Sequence, residues 1–185
     1  MRRGINNILI TVFNLLFRQD KPGWGIWGIF FWVICSYSSY GQSPMPPPNR
    51  LQVYATQELS FGSFSTGSSG GTVIISPTGN RSVTGTVIEF MLSVGNSAIF
   101  EVRLIQGRMV HILLPTQATL TRVGSGEIMT ITDFTTDKPG NGFVTTAAHP
   151  FFNTVTVGAT LHVGNISSNP PGNYSGTFPV TFIQE

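Results

Sequence analysis

The chain has one cysteine, Cys35, in 185 residues, so no disulfide can form within it and four-cysteine zinc motifs are excluded. Charge is scarce as well: 10% of residues are Asp, Glu, Lys or Arg, too few for the Ala, Glu, Lys and Leu-rich surface of a helical bundle. A basic footprint is also missing. Arg2, Arg3, Arg18 and Lys21 all precede residue 24, and from Gln42 onward six bases face seven acids with no run of either sign. Nucleic-acid binding needs clustered bases, which excludes that class. Tryptophan is absent after Trp32, so a Trp-based sugar platform is excluded from the rest of the chain. No apolar run reaches the roughly 20 residues of a membrane helix.

The longest uninterrupted apolar stretch, residues 24–35 (WGIWGIFFWVIC), has the length of a secretory-signal core. Bases precede it and small polar residues follow. Ser39-Tyr40-Gly41 fits the small-x-small rule of signal peptidase, with cleavage between Gly41 and Gln42. A long signal over residues 1–41 is therefore expected. A second apolar stretch at residues 5–17 leaves an uncleaved anchor as the alternative. Ile34 before Cys35 is too large for a lipoprotein site. Residues 42–50, with QSPMPPPN at their head, read as a proline-rich spacer that favours extended polyproline backbone.

From Leu51 to Glu185 the pattern has period two. Val155, Val157, Ala159, Leu161 and Val163 fall on one face, with Thr154, Thr156, Thr160 and His162 opposite. Phe100, Val102 and Leu104 alternate with Glu101 and Arg103. Tyr174, Gly176, Phe178, Val180 and Phe182 repeat the pattern at the end. Residues 72–76, 109–114 and 127–132 supply further strands, and turn sequences such as Pro77-Thr78-Gly79-Asn80 and Gly124-Ser125-Gly126 separate them. The expected fold is all-β, an immunoglobulin-like antiparallel β-sandwich in one domain, residues 51–185. Its expected core includes Phe100, Val102, Val157, Leu161, Tyr174, Phe178 and Val180. Pro179 cannot donate to a ladder, which marks the last strand as an edge or a bulged strand.

Certain residues resemble a known family. Glu58-Leu59-Ser60-Phe61-Gly62-Ser63-Phe64, Gly70-Gly71-Thr72-Val73 and Ser76-Pro77-x-Gly79-x-Arg81 look like the opening of domain of unknown function 4402. Leu114-Pro115, Thr119-Leu120-Thr121 and Met129-Thr130-Ile131 are similar to its central strands. Val157-Gly158-Ala159-Thr160-Leu161-x-Val163-Gly164 and Pro171-Gly172-x-Tyr174-Ser175-Gly176-Thr177-Phe178-x-Val180-Thr181 are similar to its ending. The resemblance implies a secreted bacterial sandwich, distantly similar to spore coat protein U and to chaperone–usher pilus subunits. The chain departs from pilins in lacking their cysteine pair and in ending Ile183-Gln184-Glu185 without a penultimate Tyr.

Catalytic patterns are weak. Gly67-Ser68-Ser69-Gly70-Gly71 matches a nucleophile elbow in letters, but a strand sequence rather than a helix follows, so a hairpin loop is expected. His111, His149 and His162 have no ligand-spaced neighbours, and a His149–Asp137 pair needs the intervening loop to fold back. Glu101 and Glu127 read as solvated faces. Asp133 and Asp137 lack the acid spacing of a calcium loop. No enzyme, metal or cofactor is expected. Two functions stay open: a cell-envelope structural or assembly subunit (pilus- or coat-like) whose partners are itself or related subunits, or a surface module binding glycan or protein through loops such as residues 133–153. For assembly, Leu51, Val53 and Ala55 alternate behind the spacer and form a strand that pairs either within the domain or with a neighbour's edge marked by Pro179. The protein is expected outside the inner membrane, with no stable span in its mature form. The intact mass of protein recovered from the envelope should correspond to a chain beginning at Gln42. A mass retaining residues 24–35 decides for the anchor.

Overall fold

The computed structural model describes residues 49–185. The expected signal, its Gly41–Gln42 junction and most of the spacer lie outside the described residues. Thirteen strands follow in chain order: β1 (Gln52–Gln57), β2 (Phe64–Thr66), β3 (Gly71–Ile75), β4 (Arg81–Val83), β5 (Val87–Glu89), β6 (Ala98–Arg103), β7 (Met109–Leu113), β8 (Gln117–Arg122), β9 (Ile128–Thr136), β10 (Gly142–Val144), β11 (Asn153–Val163), β12 (Tyr174–Ser175) and β13 (Thr181–Gln184). One turn of 3-10 helix, Pro139–Asn141, precedes β10.

Eleven residues of alternating Val, Thr and Leu make β11 the longest strand, and it organises the main sheet. On one side its first half pairs with β6, from Asn153 opposite Val102 to Val157 opposite Ala98. Its second half pairs on that side with β3, from Ala159 opposite Ile75 to Val163 opposite Gly71. The other side takes β9. The eight-stranded sheet runs β1-β6-β11-β9-β8-β12, with β3 and β4 continuing beside the second half of β11. Gly158 stands where β6 gives way to β3. A Cβ there would overlap the Ile75 carbonyl and the Ser76–Pro77 backbone, so only glycine lets the β3–β4 turn approach.

The second layer is built of two small sheets, β10-β7-β13 and β2-β5. Each covers its own apolar cluster. Ala98, Val102, Ile112, Val155 and Val157 lie at the β6 end. Val73, Ile75, Met129, Ile131, Leu161 and their neighbours lie at the β3 end. The architecture is an all-β antiparallel sandwich, as the alternation predicts. Val102, Val157 and Leu161 are fully buried. Phe100, Tyr174, Phe178 and Val180 are half-buried and pack against the clusters.

Three local expectations change. Asp133, with φ 51°, adds a residue to β9 between the pairs Gly158–Thr135 and Thr160–Thr132. This bulge keeps Phe134 packed on both clusters with Met129 and Ile131, so β9 runs to Thr136 where a loop is expected. The glycines at 67 and 70 do not close a hairpin, because β2 and β3 belong to different sheets and the turn carries the chain between layers. The C-terminal alternation is divided: β12 pairs with β8, residues 176–180 cross the inner face, and β13 pairs with β7. β13 is an edge strand, as expected, but Pro179 lies in the crossover before it.

Leu161→Ala should cost about 2–5 kcal/mol in denaturant unfolding, whereas Thr160→Ala on the outer face should cost little. Gly158→Ala should cost about 1–3 kcal/mol by overpacking. Equal, small losses at 160 and 161 would remove the assigned register.

Candidate functional site

Because the second layer is made of two separate sheets, it leaves a cleft of about 610 Å³ over the β3 end of the main sheet. Its floor is the inner face of three strands: Leu120 of β8, Met129 and Ile131 of β9, and Leu161 and Val163 of β11. Residues 58–66 form one wall and residues 170–176, with Phe178, the other.

Among the described residues, each wall has unpaired backbone in part, and β2 pairs with β5 alone. The bonds Phe90 N–H to Ser63 O and Gly67 N–H to Thr86 O flank the Ser65–Ile88 pair, so the ladder bonds fall on odd-numbered residues of this wall. By the antiparallel alternation, the N–H and C=O groups of Phe64 and Thr66 point away from β5, towards the cleft side. On the opposite wall Tyr174 and Ser175 pair with β8, while Gly176 and Phe178 make no backbone–backbone hydrogen bond among the described residues.

Each wall is held by an arginine. Arg81 Nη1 donates to Ser93 O at 2.7 Å and Phe61 O at 3.2 Å, Nη2 donates to Phe90 O at 3.0 Å, and Nε pairs with Glu89 at 2.9 Å. Its side chain is 6% exposed. Arg122 Nη2 donates to Pro171 O at 2.7 Å, and a Cβ on Gly172 would collide with the same side chain. Asn169 bridges the loop above, accepting from Gly164 N–H at 2.6 Å and donating to Ile128 O at 2.8 Å. Tyr174 OH donates to Pro170 O at 2.8 Å, four residues upstream, as in the tyrosine corner of immunoglobulin-like domains. The cleft is thus braced from both sides; of its floor Leu120 is half-buried while Met129, Ile131, Leu161 and Val163 are buried in the β3-end cluster, so its accessible apolar surface comes from Leu120 and from wall residues such as Phe64 and Phe178. Among the described residues, Glu58 is the one formally charged residue in its lining. Such a surface offers apolar burial and backbone hydrogen bonding, the two contributions that bind an added strand.

The residues singled out in sequence lie elsewhere. Leu51 and Val53 pack against the β6-end cluster, while Ala55 is exposed. Their strand β1 pairs with β6 of its own chain, with a bulge between Ala55 and Gln57. Leu51 N–H donates to Gln184 Oε1 at 3.2 Å, which ties β1 to β13. Pro179 is exposed beside Phe178, outside the cleft lining. Asp137 does not meet His149. Although burial opposes its charge, the hydrogen bond from Lys138 and that from Thr156 N–H hold its carboxyl below the usual range. His162 bonds Thr132 at 2.8 Å, and His111 meets Glu185 at 3.1 Å. Glu127 is held below the usual carboxylate range chiefly by the Ser125 hydroxyl. Among the described residues, no group of three His, Cys, Asp or Glu is placed to hold a metal, and no helix is long and apolar enough to cross a membrane.

A second feature sits at the β1 edge. The Arg103 guanidinium lies 5.2 Å from the Tyr54 ring centroid and 5.7 Å from that of Phe152, with Glu101 at 3.3 Å. Phe151 beside it is exposed. Of the proposed binding segment 133–153, only its last residues join this cluster, since 133–136 belong to β9 and 142–144 to β10.

No curated protein matches the chain, and no solved structure does. A family model described as a domain of unknown function, DUF4402, matches residues 51–183, from the residue before β1 into β13. The matched span carries both core clusters, the cleft and its two arginine braces, and by it the chain belongs to the DUF4402 family.

Proposed function

We propose that this protein is an exported, non-enzymatic subunit of a bacterial cell envelope that joins a larger assembly by accepting an extended apolar segment in its cleft. The observation that carries the reading is the backbone of β2, without a second partner among the described residues, beside the half-buried apolar side chains of Leu120, Phe64 and Phe178. A segment lying along β2 would meet the backbone groups of Phe64 and Thr66 and bury its side chains against Leu120, Phe64 and Phe178. Each neutral hydrogen bond adds about 0.5–1.5 kcal/mol and each buried large apolar side chain about 1.5–3 kcal/mol. Export rests on the apolar run at residues 24–35 and on the Ser39-Tyr40-Gly41 site. The Arg103 cluster favours a second reading, a surface module that stacks a sugar ring or an aromatic side chain on Phe151 and Phe152.

Amide exchange separates occupied from empty clefts. The Phe64 and Thr66 amides should exchange rapidly in the free domain and slow by at least about tenfold in assembled material from the envelope fraction, since a ladder bond must then open first. Unchanged exchange in assembled material would sink strand acceptance. For the second reading, Phe152→Ala should abolish retention on envelope glycan while leaving the assembly state unaltered. Retention that survives this change rules that surface out.

A further inference from the structure

Arg81 and Arg122 give their donors to main-chain carbonyls at the cleft walls. Arg103, the last residue of β6, does not. Among the described residues its one acceptor is Glu101 Oε2, which Nη2 reaches at 3.3 Å, longer than the about 2.7–2.9 Å of a strong charge-assisted bond. Its Nε is buried without a partner. Two rings hold the guanidinium instead. Tyr54 of β1 and Phe152 ahead of β11 stand on the two sides of β6, and the guanidinium lies 5.2 and 5.7 Å from their centroids. Aromatic faces fix a cation in place without consuming its N–H groups. With Nε covered and the side chain 42% exposed, the guanidinium presents its Nη groups outward.

The surroundings of the ion pair select a ligand. Tyr54 and Phe152 are both exposed, and Phe151 next to them is 71% exposed. Gln52 stands opposite Arg103 and Thr154 opposite Glu101 in the ladders that flank β6, so two exposed neutral hydrogen-bonding side chains share the outer face with the pair. Peptides are held by sheet edges, grooves or pockets, whereas this platform is the face of a sheet. An aromatic surface of this kind suits the C–H faces of a sugar ring, and the polar groups beside it suit the ring's hydroxyls.

We propose that this platform binds a neutral hexopyranose glycan, stacked on Tyr54 and Phe152 with the Arg103–Glu101 pair bridging two vicinal hydroxyls. One hydroxyl accepts from Nη of Arg103 and its neighbour donates to the Glu101 carboxylate. Charge complementarity selects neutrality. An anion placed at the guanidinium meets Glu101, and a cation placed at the carboxylate meets Arg103, only 3.3 Å apart. A hydroxyl donates and accepts, so a vicinal pair satisfies both partners without added charge. The proposal rests on the second reading above, names its ligand class, and adds Tyr54 and the ion pair to the surface.

Affinity electrophoresis of the full chain, recovered from the envelope fraction, tests this against neutral polysaccharides (glucans, mannan and galactan) and against polygalacturonate. At least one neutral polysaccharide should retard the protein, and polygalacturonate should not. Tyr54→Ala and Arg103→Lys should each weaken that retardation by at least about tenfold, the second because an ammonium lacks the planar fork. Glu101→Gln is the diagnostic variant. It leaves the guanidinium without its carboxylate, so neutral binding should fall and retardation by polygalacturonate should appear, with circular dichroism unchanged in all three variants. A wild-type protein retarded by polygalacturonate alone overturns the neutral ligand and leaves the second reading standing. Neutral binding that is indifferent to both Arg103→Lys and Glu101→Gln removes the ion pair from the site and leaves only stacking. A protein that no polysaccharide retards overturns the proposal together with the sugar-binding form of the second reading.

Discussion

The sandwich depends on one strand serving two neighbours along the same edge. β11 is long enough to pair with β6 over its first half and β3 over its second, and Gly158 allows the exchange because the β3–β4 turn packs where a side chain would stand. This doubles the length of inner face that a second layer must cover. The available strands form two short sheets rather than one continuous one, each over its own cluster. The cleft is the remainder of that mismatch. Without disulfides, the walls at its mouth are fixed by Arg81 and Arg122, whose planar donors each reach main-chain carbonyls that a ladder would otherwise satisfy.

The alternation in residues 154–163 identifies β11 because every second side chain is apolar and all of them are buried. Phe100 and Val102 identify β6 in the same way. Period two fails where the backbone departs from it. The Asp133 bulge shifts the phase within β9, and a single sequence carries no sign of that change. The C-terminal alternation is continuous through Phe178 and Phe182, yet these rings meet Phe134 and Phe100 on opposite sides of the inner face, at 4.9 and 5.5 Å between centroids. Alternation records that a residue faces inward, not which sheet holds its backbone.

The cleft was less legible than the fold, since it arises from strands distant in sequence and from partners that β2 does not have. Arg81 stands in the family's opening motif, but its neighbours give no hint that it closes on residues 90 and 93. Phe90, Met91 and Leu92 form a short apolar run, which looks the same in sequence whether buried or exposed. Leu51 and Val53 alternate correctly and lie on the inner side, yet they engage β6 of their own chain rather than the cleft.

The C-terminal crossover also governs the order in which this fold can form. β1 waits for β6, and the second half of β3's pairing waits for β11, some ninety positions later in the chain. Phe178, Val180 and Phe182 finish the β6-end cluster from the last eight residues. A chain emerging N-terminus first therefore lacks a closed β6-end cluster until residues 178–182 are present, and most of its pairings join distant segments, a topology that folds slowly. The same crossover that spans the two layers ties the closing of the β6-end cluster to residues 178–182.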